Sequence, residues 1–240
     1  MSYSFYSRVR YSEVGEDERM TLNGIVNYFQ DCSTFHSEDI GLGLRALKRD
    51  CKGWVLSSWQ IVVKRYPALG ENIEISTWPY AFKGFMGSRN FTMKSYTGET
   101  LAYANSLWVF MDLKKKRPTM ITIKYIEGYT LDAPLPMIYA DRKISVPAAS
   151  MKRKAFSVQN HHLDTNHHVN NGKYIQMAQE FVPSDFPIGQ MRAEYKKQAV
   201  LGDTIVPLVY VEENTYTVAL CKENLEPYTI VEFSREGETI

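Results

Sequence analysis

A ten-residue pattern occurs twice in the chain and restricts the fold more than any other feature of the sequence. It reads KRYPALGENI at residues 64–73 and KKQAVLGDTI at residues 196–205. Each copy follows one β-like run and precedes another, and a glycine with an acidic neighbour is typical of the turn between two strands. We therefore predict that the chain is duplicated and that Gly70 and Gly202 occupy equivalent turns.

A helix is predicted ahead of each copy of this pattern. In the first half, apolar residues recur at helical spacing and form one stripe, made by Leu22, Ile25, Val26, Phe29 and Cys32. In the second half, before Pro183 ends the pattern, the stripe is made by Tyr174, Met177, Ala178 and Phe181. A helix with one apolar stripe must bury it, and a curved antiparallel sheet around the helix is the economical solution.

These patterns predict an α+β protein of two similar halves, each an antiparallel sheet wrapped around one long central helix. We place the first half at residues 1–117 and the second half at residues 148–240. The segment between them, residues 118–147, is rich in proline and weak in helical periodicity, which is typical of a linker.

The composition excludes several classes of function. A net charge of +1 argues against general nucleic-acid binding. The three cysteines have no CxxC spacing, so neither a disulfide framework nor a zinc knuckle is indicated, and we expect no metal or cofactor. The first twenty residues lack an apolar run of signal-peptide length, and no segment has the ~18 uncharged apolar residues that span a bilayer. We expect an intracellular, cytoplasmic protein.

Four of the five histidines lie within the segment HHLDTNHHVNN at residues 161–171. Here Asp164, Asn166 and His168 are spaced by two, so in an extended segment their side chains project to the same side. A carboxylate orients water, an amide donates to a carbonyl oxygen, and an imidazole transfers protons near neutral pH. The following helix adds unpaired N–H groups that suit an oxyanion. The combination favours attack on a carbonyl group.

Other interpretations of this segment stay open at the level of residue types. Asn170 or Asn171 can serve only as a helix cap, and surface histidines often have no function. A metal site is a further alternative, although HHxxxxHH is not a recognised zinc spacing and no cysteine lies nearby.

The first half provides an internal comparison that favours catalysis. An offset of 147 residues pairs Asn23 with Asn170 and places Asp17, Arg19 and Thr21 opposite the three polar residues. Only the aspartate is retained at this offset. We therefore expect one active site per chain, in the second half.

Two motifs resemble a known family. LDTNHHVNNGKYI at residues 163–175 and EYKKQ at residues 194–198 are similar to segments of the acyl-acyl carrier protein thioesterases of plants and bacteria, and RVRYSEVGEDERMTLNGIVNYFQD resembles that family's opening. The resemblance covers most of the chain. It implies a tandem hot-dog fold and hydrolysis of the thioester between a fatty acyl chain and its carrier protein. Asp164, Asn166 and His168 match the family's catalytic aspartate, asparagine and histidine.

Two positions depart from the plant members, which continue Glu-Tyr-Arg-Arg-Glu-Cys. Gln198 stands at the second glutamate position and Ala199 at the cysteine position. A glutamine is no general base and an alanine supplies no thiolate, so the resemblance implies direct attack by water. Whether Asp164 or His168 activates the water stays open in the sequence.

The resemblance also implies binding surfaces and a partner. The acyl chain is expected in the first half, against helix residues such as Val26 and Phe29. The partner would be an acidic acyl carrier protein, which the basic run of Lys114, Lys115, Lys116 and Arg117 could dock. We further expect a homodimer of these duplicated chains. The alternatives are a hot-dog acyl-coenzyme A thioesterase and a non-catalytic protein that binds acyl thioesters.

Overall fold

The computed structural model describes residues 2–147 and 149–235, which form two compact units. Within the described residues, the first unit contains 2–57 and 63–138, and the second contains 58–62 and 139–235. Among these residues, no helix is both long enough and apolar enough to cross a membrane.

The first unit is an antiparallel sheet with two helices. The helices are α1 (Leu22–Asp39) and α2 (Leu44–Arg49). The strands are β1 (Tyr3–Arg8), β2 (Lys52–Val63), β3 (Asn72–Lys83), β4 (Met86–Ser95), β5 (Thr100–Asp112) and β6 (Arg117–Pro118). They lie in the order β1-β3-β4-β5-β2, and the short β6 pairs with β5.

Helix α1 forms the core of the first unit with the sheet. Its N-cap is Thr21, whose Oγ1 accepts a hydrogen bond from the Gly24 amide at 3.1 Å. The predicted apolar stripe is confirmed, because Leu22, Ile25, Val26, Phe29 and Cys32 are all buried. The rings of Phe29 and Phe91, the latter on β4, lie 5.3 Å apart. Burying each of the larger side chains stabilises the unit by about 1.5–3 kcal/mol.

The second unit repeats this arrangement with a shorter helix, α3 (Asn171–Gln179). Its strands are β7 (Met151–Lys152), β8 (Phe156–Ser157), β9 (Gln190–Tyr195), β10 (Thr204–Glu212), β11 (Thr215–Cys221) and β12 (Pro227–Ser234). They lie in the order β9-β12-β11-β10-β7, and β8 pairs with the other part of β10. Residues 58–62 of β2, which belong to this unit, pair with β9.

Helix α3 has nine residues, half the eighteen of α1. Tyr174, Met177 and Ala178 of the predicted stripe are buried. Phe181 lies beyond the helix, in a turn where its amide donates to the Ala178 carbonyl at 3.2 Å. The helix ends before Phe181 because the approaching Pro183 restricts the residue ahead of it to extended backbone.

The two glycines of the repeated pattern occupy equivalent turns, as predicted. Gly70 and Gly202 have φ values of 78° and 84°, in the left-handed region that glycine tolerates. The Gly70 amide donates to the Val9 carbonyl at 3.0 Å, and the Gly202 amide donates to the Val158 carbonyl at 3.1 Å. The chain is thus an α+β protein with a tandem hot-dog fold, in which each unit wraps an antiparallel sheet around one helix.

The proline-rich segment after β6 is largely irregular and packs against both units in turn. Within the first unit, the Trp78 indole N–H donates to the Ala133 carbonyl at 2.8 Å, and the Leu135 amide donates to Asn90 Oδ1 at 3.0 Å. Within the second unit, Ile144 is buried in an apolar cluster that also contains Tyr210, Ala219, Cys221 and Ile230.

Candidate active site

The segment with the three candidate catalytic residues is a tight turn. Leu163 and Val169 face each other as an isolated antiparallel bridge. Between them, the Asp164 amide donates to the His168 carbonyl at 2.8 Å, and His167 has a left-handed φ of 61°. We call residues 163–169 the histidine turn. The expectation of an extended segment with side chains alternating at a period of two was wrong.

The side chain of Asp164 explains why the chain turns here. Its Oδ1 accepts hydrogen bonds from the amides of Asn166 at 2.7 Å and His168 at 3.2 Å. An aspartate that bonds its own backbone two residues ahead stabilises a turn in competition with a strand. Asp164 therefore fixes the backbone on which Asn166 and His168 are carried.

The other two candidate residues differ in their exposure. Asn166 is exposed at the tip of the turn, and His168 is half-buried. The Nδ1 atom of His168 is buried and has no hydrogen-bond partner among the described residues. Leaving a buried polar atom unpaired costs about 1–3 kcal/mol, and such atoms are often found where a protein acts on a ligand.

Asn170 caps helix α3 directly after the histidine turn. Its Oδ1 accepts a hydrogen bond from the Gly172 amide at 2.8 Å, and its carbonyl accepts one from the Lys173 amide at 2.9 Å. The capping interpretation of Asn170 is therefore confirmed. Since two amides of the first turn are engaged, the helix start offers an oxyanion fewer donors than the sequence suggested.

The EYKKQ motif is hydrogen-bonded to helix α3, and the two residues that follow it contact the histidine turn. The Val169 amide donates to the Ala199 carbonyl at 3.0 Å, and His168 forms an isolated bridge with Val200. On the other side, the Tyr195 hydroxyl donates to the Asn171 carbonyl at 3.0 Å. The end of the second motif and the residues directly after it thus lie against the histidine turn and the start of α3.

Glu194, the first residue of that motif, is a buried carboxylate with several donors. Its side chain accepts a hydrogen bond from the Ile144 amide at 3.1 Å. The ammonium of Lys196 lies 3.3 Å from it and the guanidinium of Arg142 lies 3.8 Å from it. These partners compensate the buried charge of Glu194, so the loss of one of them would destabilise the second unit.

Sequence reasoning missed Tyr174 as a polar contributor. Its hydroxyl accepts a hydrogen bond from the buried Ala199 amide at 2.8 Å. The sequence assigned Tyr174 only to the apolar stripe, and its ring is indeed buried. A buried tyrosine hydroxyl needs a polar partner, which is the signal that could have found this contact. Gln198 is exposed.

His161 and His162 lie ahead of the histidine turn, in a 3-10 turn at Asn160–His162. The His162 Nδ1 accepts a hydrogen bond from the Gln159 amide at 2.9 Å, and its carbonyl accepts one from the Asn170 amide at 2.9 Å. Burial lowers the pKa of His162, and the nearby charges of His161 and Lys173 add to this effect. Among the described residues, no group of three or more histidine, cysteine or acidic side chains is arranged to hold a metal ion.

The two buried cysteines, Cys32 and Cys221, are unsuited to nucleophilic catalysis. Burial raises the pKa of Cys32 to about 12 and that of Cys221 to about 11, so both stay protonated thiols near neutral pH. Cys51 is exposed.

The remaining predicted residues lie in the first unit. Val26 and Phe29 lie on α1 and are fully buried in the core. The basic run at residues 114–117 is exposed: Lys114, Lys115 and Lys116 lie in the turn between β5 and β6, and Arg117 begins β6. This turn is held by Asp112, whose Oδ1 accepts a hydrogen bond from the Lys115 amide at 2.8 Å.

The structure corrects the offset between the two halves. Thr21 and Asn170 are the N-caps of α1 and α3, and Glu18 and His167 have matching φ values of 57° and 61°. Both pairs give an offset of 149 residues, two more than expected. The error arose because Asn23 was paired with Asn170, whereas the cap that corresponds to Asn170 is a threonine.

A duplicated hot-dog fold with one histidine turn defines the class of protein, and comparison with known sequences defines the family. The acyl-ACP thioesterase N-terminal domain matches residues 2–129, and the acyl-ACP thioesterase C-terminal domain matches residues 145–226. The chain belongs to the acyl-ACP thioesterase family.

Individual relatives support this assignment. A chloroplastic acyl-acyl-carrier-protein hydrolase of Cuphea viscosissima is 30% identical over 96% of this chain and 55% of its own length. A chloroplastic palmitoyl-acyl carrier protein thioesterase of Cuphea hookeriana is 32% identical over 74% of this chain and 46% of its own length. The chain thus spans about half the length of the curated relatives that it matches.

Solved structures share the fold over nearly the whole chain. An acyl-ACP thioesterase from Bacteroides thetaiotaomicron has a TM-score of 0.88 at 23% identity and covers 96% of both chains. The 12:0-ACP thioesterase from Umbellularia californica has a TM-score of 0.85 at 22% identity, and the match covers 97% of this chain and 96% of that one.

Proposed function

We propose that the protein hydrolyses acyl-acyl carrier protein and releases a free fatty acid, which would terminate chain elongation. The observation that carries the proposal is the histidine turn, where an exposed amide and a half-buried imidazole with an unpartnered nitrogen stand on a backbone fixed by Asp164. Membership of the acyl-ACP thioesterase family and the names of the relatives support this substrate and reaction.

In this proposal His168 is the general base. Asp164 is the less suitable candidate, because one of its carboxylate oxygens already binds two backbone amides. His168 takes a proton from water as the water oxygen bonds to the thioester carbonyl carbon, and the Asn166 amide donates to the developing oxyanion. The carbon–sulfur bond then breaks, and the proton on His168 passes to the leaving thiolate. The products are a fatty acid and the free thiol of the carrier protein.

Water, and no protein side chain, is the proposed nucleophile. Ala199 occupies the position where plant relatives are expected to carry a cysteine, and the thiols of Cys32 and Cys221 are held protonated by burial. Introducing a thiol by Ala199→Cys should therefore give no gain in kcat, since the proposed nucleophile is water. A covalent acyl-enzyme on any cysteine would contradict the water mechanism.

The two halves take different roles in the proposal. Residues 1–117 would hold the acyl chain, residues 118–147 would link the halves, and residues 148–240 would carry the catalytic turn. In the first role, the acyl chain would lie against the apolar face of α1 that contains the buried Val26 and Phe29. The single histidine turn in the second unit supports the last.

The carrier protein is proposed to dock near the exposed basic turn of Lys114, Lys115, Lys116 and Arg117. Four cationic side chains on one exposed turn attract an acidic partner and raise its rate of encounter, and salt screens this effect. Assembly as a homodimer and a cytoplasmic location are further predictions, to be tested by light scattering and cell fractionation.

The decisive experiment compares acyl-carrier-protein and acyl-coenzyme A substrates of several chain lengths at equal concentration. We expect release of free fatty acid, with kcat/KM at least ~10-fold higher for the carrier-protein substrates because only they meet the docking surface. A preference for coenzyme A would identify an acyl-coenzyme A thioesterase. Tight binding of acyl thioesters without any release would identify a non-catalytic binding protein.

A further inference from the structure

The backbone amide of Ala199 lies at the centre of a short chain of hydrogen bonds that ends at the histidine turn. Ala199 is fully buried, and its amide donates to the hydroxyl of Tyr174, which is 2% exposed. The Ala199 carbonyl accepts the Val169 amide at 3.0 Å, and the next residue, Val200, forms a bridge with His168. Tyr174 on α3 is thus connected to the backbone of His168 through Ala199 and its partners Val169 and Val200.

The first unit has the corresponding backbone hydrogen bond, but it needs no polar side chain at this position. There the Met20 amide donates to the Pro67 carbonyl at 2.8 Å, which corresponds to the bond between Val169 and Ala199. Pro67 and Ala199 both lie three residues before the equivalent glycines Gly70 and Gly202. Since proline has no amide hydrogen, the first unit has no buried donor to satisfy at this position.

The helix residue that faces Pro67 in the first unit differs from the one that faces Ala199 in the second unit. Ile25 and Tyr174 both lie four residues after the N-cap of their helix, and both are buried. The first unit combines isoleucine with proline, and the second combines tyrosine with alanine. A buried amide without a partner destabilises the fold, so the second unit needs the tyrosine hydroxyl as an acceptor, whereas the first unit has no amide hydrogen for a hydroxyl to bind.

We propose that Tyr174 is a positioning residue for His168: its hydroxyl holds the Ala199 amide, and the Ala199 carbonyl in turn fixes the histidine turn. This inference rests on the proposed function, because it assigns His168 as the base. Tyr195 supports the same geometry, since its hydroxyl binds the Asn171 carbonyl at the start of α3 and its ring lies 6.2 Å from that of Tyr174.

The test begins with Tyr174→Phe, which removes the hydroxyl and leaves the ring. We expect kcat to fall at least ~10-fold with KM within about twofold, because a misplaced base slows the chemical step more than it weakens binding. The matched control is Pro67→Ala, which creates the same unpaired amide opposite Ile25. It should reduce stability by a similar amount and leave kcat within about twofold.

Rescue is tested with the double variant Tyr174→Phe, Ala199→Pro, which reproduces the apolar pairing of the first unit. Removing the amide hydrogen removes the defect, so kcat should return to within about threefold of the wild-type value. If Tyr174→Phe alone does not fold, the double variant still tests the inference, because it lacks the unpaired amide. A kcat loss equal to that of Pro67→Ala, or a double variant that folds and stays as slow as Tyr174→Phe, would overturn the positioning role.

A readout independent of turnover separates this inference from the proposed function. The imidazole signals of His168, assigned by their loss in His168→Ala, should shift in Tyr174→Phe and return in the double variant. Unchanged signals in Tyr174→Phe would overturn the inference even if kcat fell. Shifted and restored signals in a protein that hydrolyses no thioester would support the coupling of Tyr174 to His168 and reject the proposed function.

Discussion

The histidine turn and its counterpart in the first unit have the same backbone and different side chains. Residues 14–20 form that counterpart: the Gly15 amide donates to the Arg19 carbonyl at 2.9 Å, and Val14 and Met20 form the closing bridge. With the offset of 149 residues, none of the catalytic candidates is repeated. Asp164, Asn166 and His168 correspond to Gly15, Asp17 and Arg19.

The replaced residues have structural uses in the first unit. The Asp17 Oδ1 accepts a hydrogen bond from the Arg19 amide at 3.1 Å, and the Arg19 guanidinium donates to the Tyr66 carbonyl at 3.0 Å. An aspartate thus supports the turn in both units, from a different position in each. The turn therefore belongs to the fold, and the chemistry belongs to side chains that only the second unit carries.

A large difference between the units is expected at Asn166 and Asp17, which occupy corresponding positions. Asn166→Ala should lower kcat by ~10²–10³-fold, because it removes the proposed donor to the oxyanion. Asp17→Ala changes the corresponding residue and should leave kcat within about threefold. Both variants are compared by steady-state hydrolysis of the same acyl-carrier-protein substrate. Similar losses in the two variants would mean that the turn matters only for folding.

Acid should destabilise the first unit through His36, which has no counterpart because α3 ends before the corresponding position. The His36 Nδ1 must accept the hydrogen bond from the Arg89 guanidinium at 3.1 Å, since arginine only donates. Burial lowers the pKa of His36 from 6.5 to about 4, and the charge of Arg89 adds to this effect.

Because the pKa of His36 is lower in the folded chain, the unfolded chain binds more protons between pH 6.5 and pH 4. The free energy of unfolding should therefore fall as the pH falls through this window, by up to ~1.4 kcal/mol per pH unit from this residue. His36→Gln keeps an acceptor for Arg89 and should flatten the dependence. Urea denaturation at a series of pH values checks this, and an equally steep dependence in His36→Gln would assign the acid sensitivity to other groups.

Each unit has an exposed basic run, and we expect neutralising the two runs to have different effects on KM. This effect should be smaller than those above. Neutral replacements of Lys114, Lys115, Lys116 and Arg117 should raise KM for the carrier-protein substrate ~3–10-fold at low salt and weaken its salt dependence. The same treatment of Lys152, Arg153 and Lys154, which are also exposed, is the control and should have little effect. A similar increase of KM in both variants would indicate a general effect of net charge and no docking at the first run.

The smallest effect is expected from glycine substitutions at Glu18 and His167, the position at which the two turns have the same backbone conformation. Glu18 and His167 both adopt the left-handed conformation, which glycine tolerates better than other residues. Glu18→Gly and His167→Gly should each change the free energy of unfolding by no more than ~1 kcal/mol, in the stabilising direction, with kcat unchanged. Chemical denaturation and activity assays check both. A loss of kcat in His167→Gly alone would show that His167 has a role beyond the turn.

The duplication and the buried stripe of α1 could be predicted from the sequence, because both depend on local periodicity and on turn glycines. The sequence also singled out Asp164, Asn166 and His168 as candidates, but it did not predict the turn on which they lie. Asp164 and Asn166 are typical turn residues, and their spacing of two was interpreted as that of a strand. The hydrogen bond between Tyr174 and Ala199 joins residues 25 positions apart, so no local pattern reveals it.

The most direct test of one active site on a duplicated fold compares His168→Ala with Arg19→Ala, which change corresponding residues of the two units. kcat for an acyl-carrier-protein substrate is measured for both variants, with circular dichroism to confirm that each is folded. We predict a loss of ~10²–10⁴-fold for His168→Ala, as expected for removal of a general base, and a change within about threefold for Arg19→Ala. A folded His168→Ala variant with turnover within a few-fold of wild type would contradict the assignment.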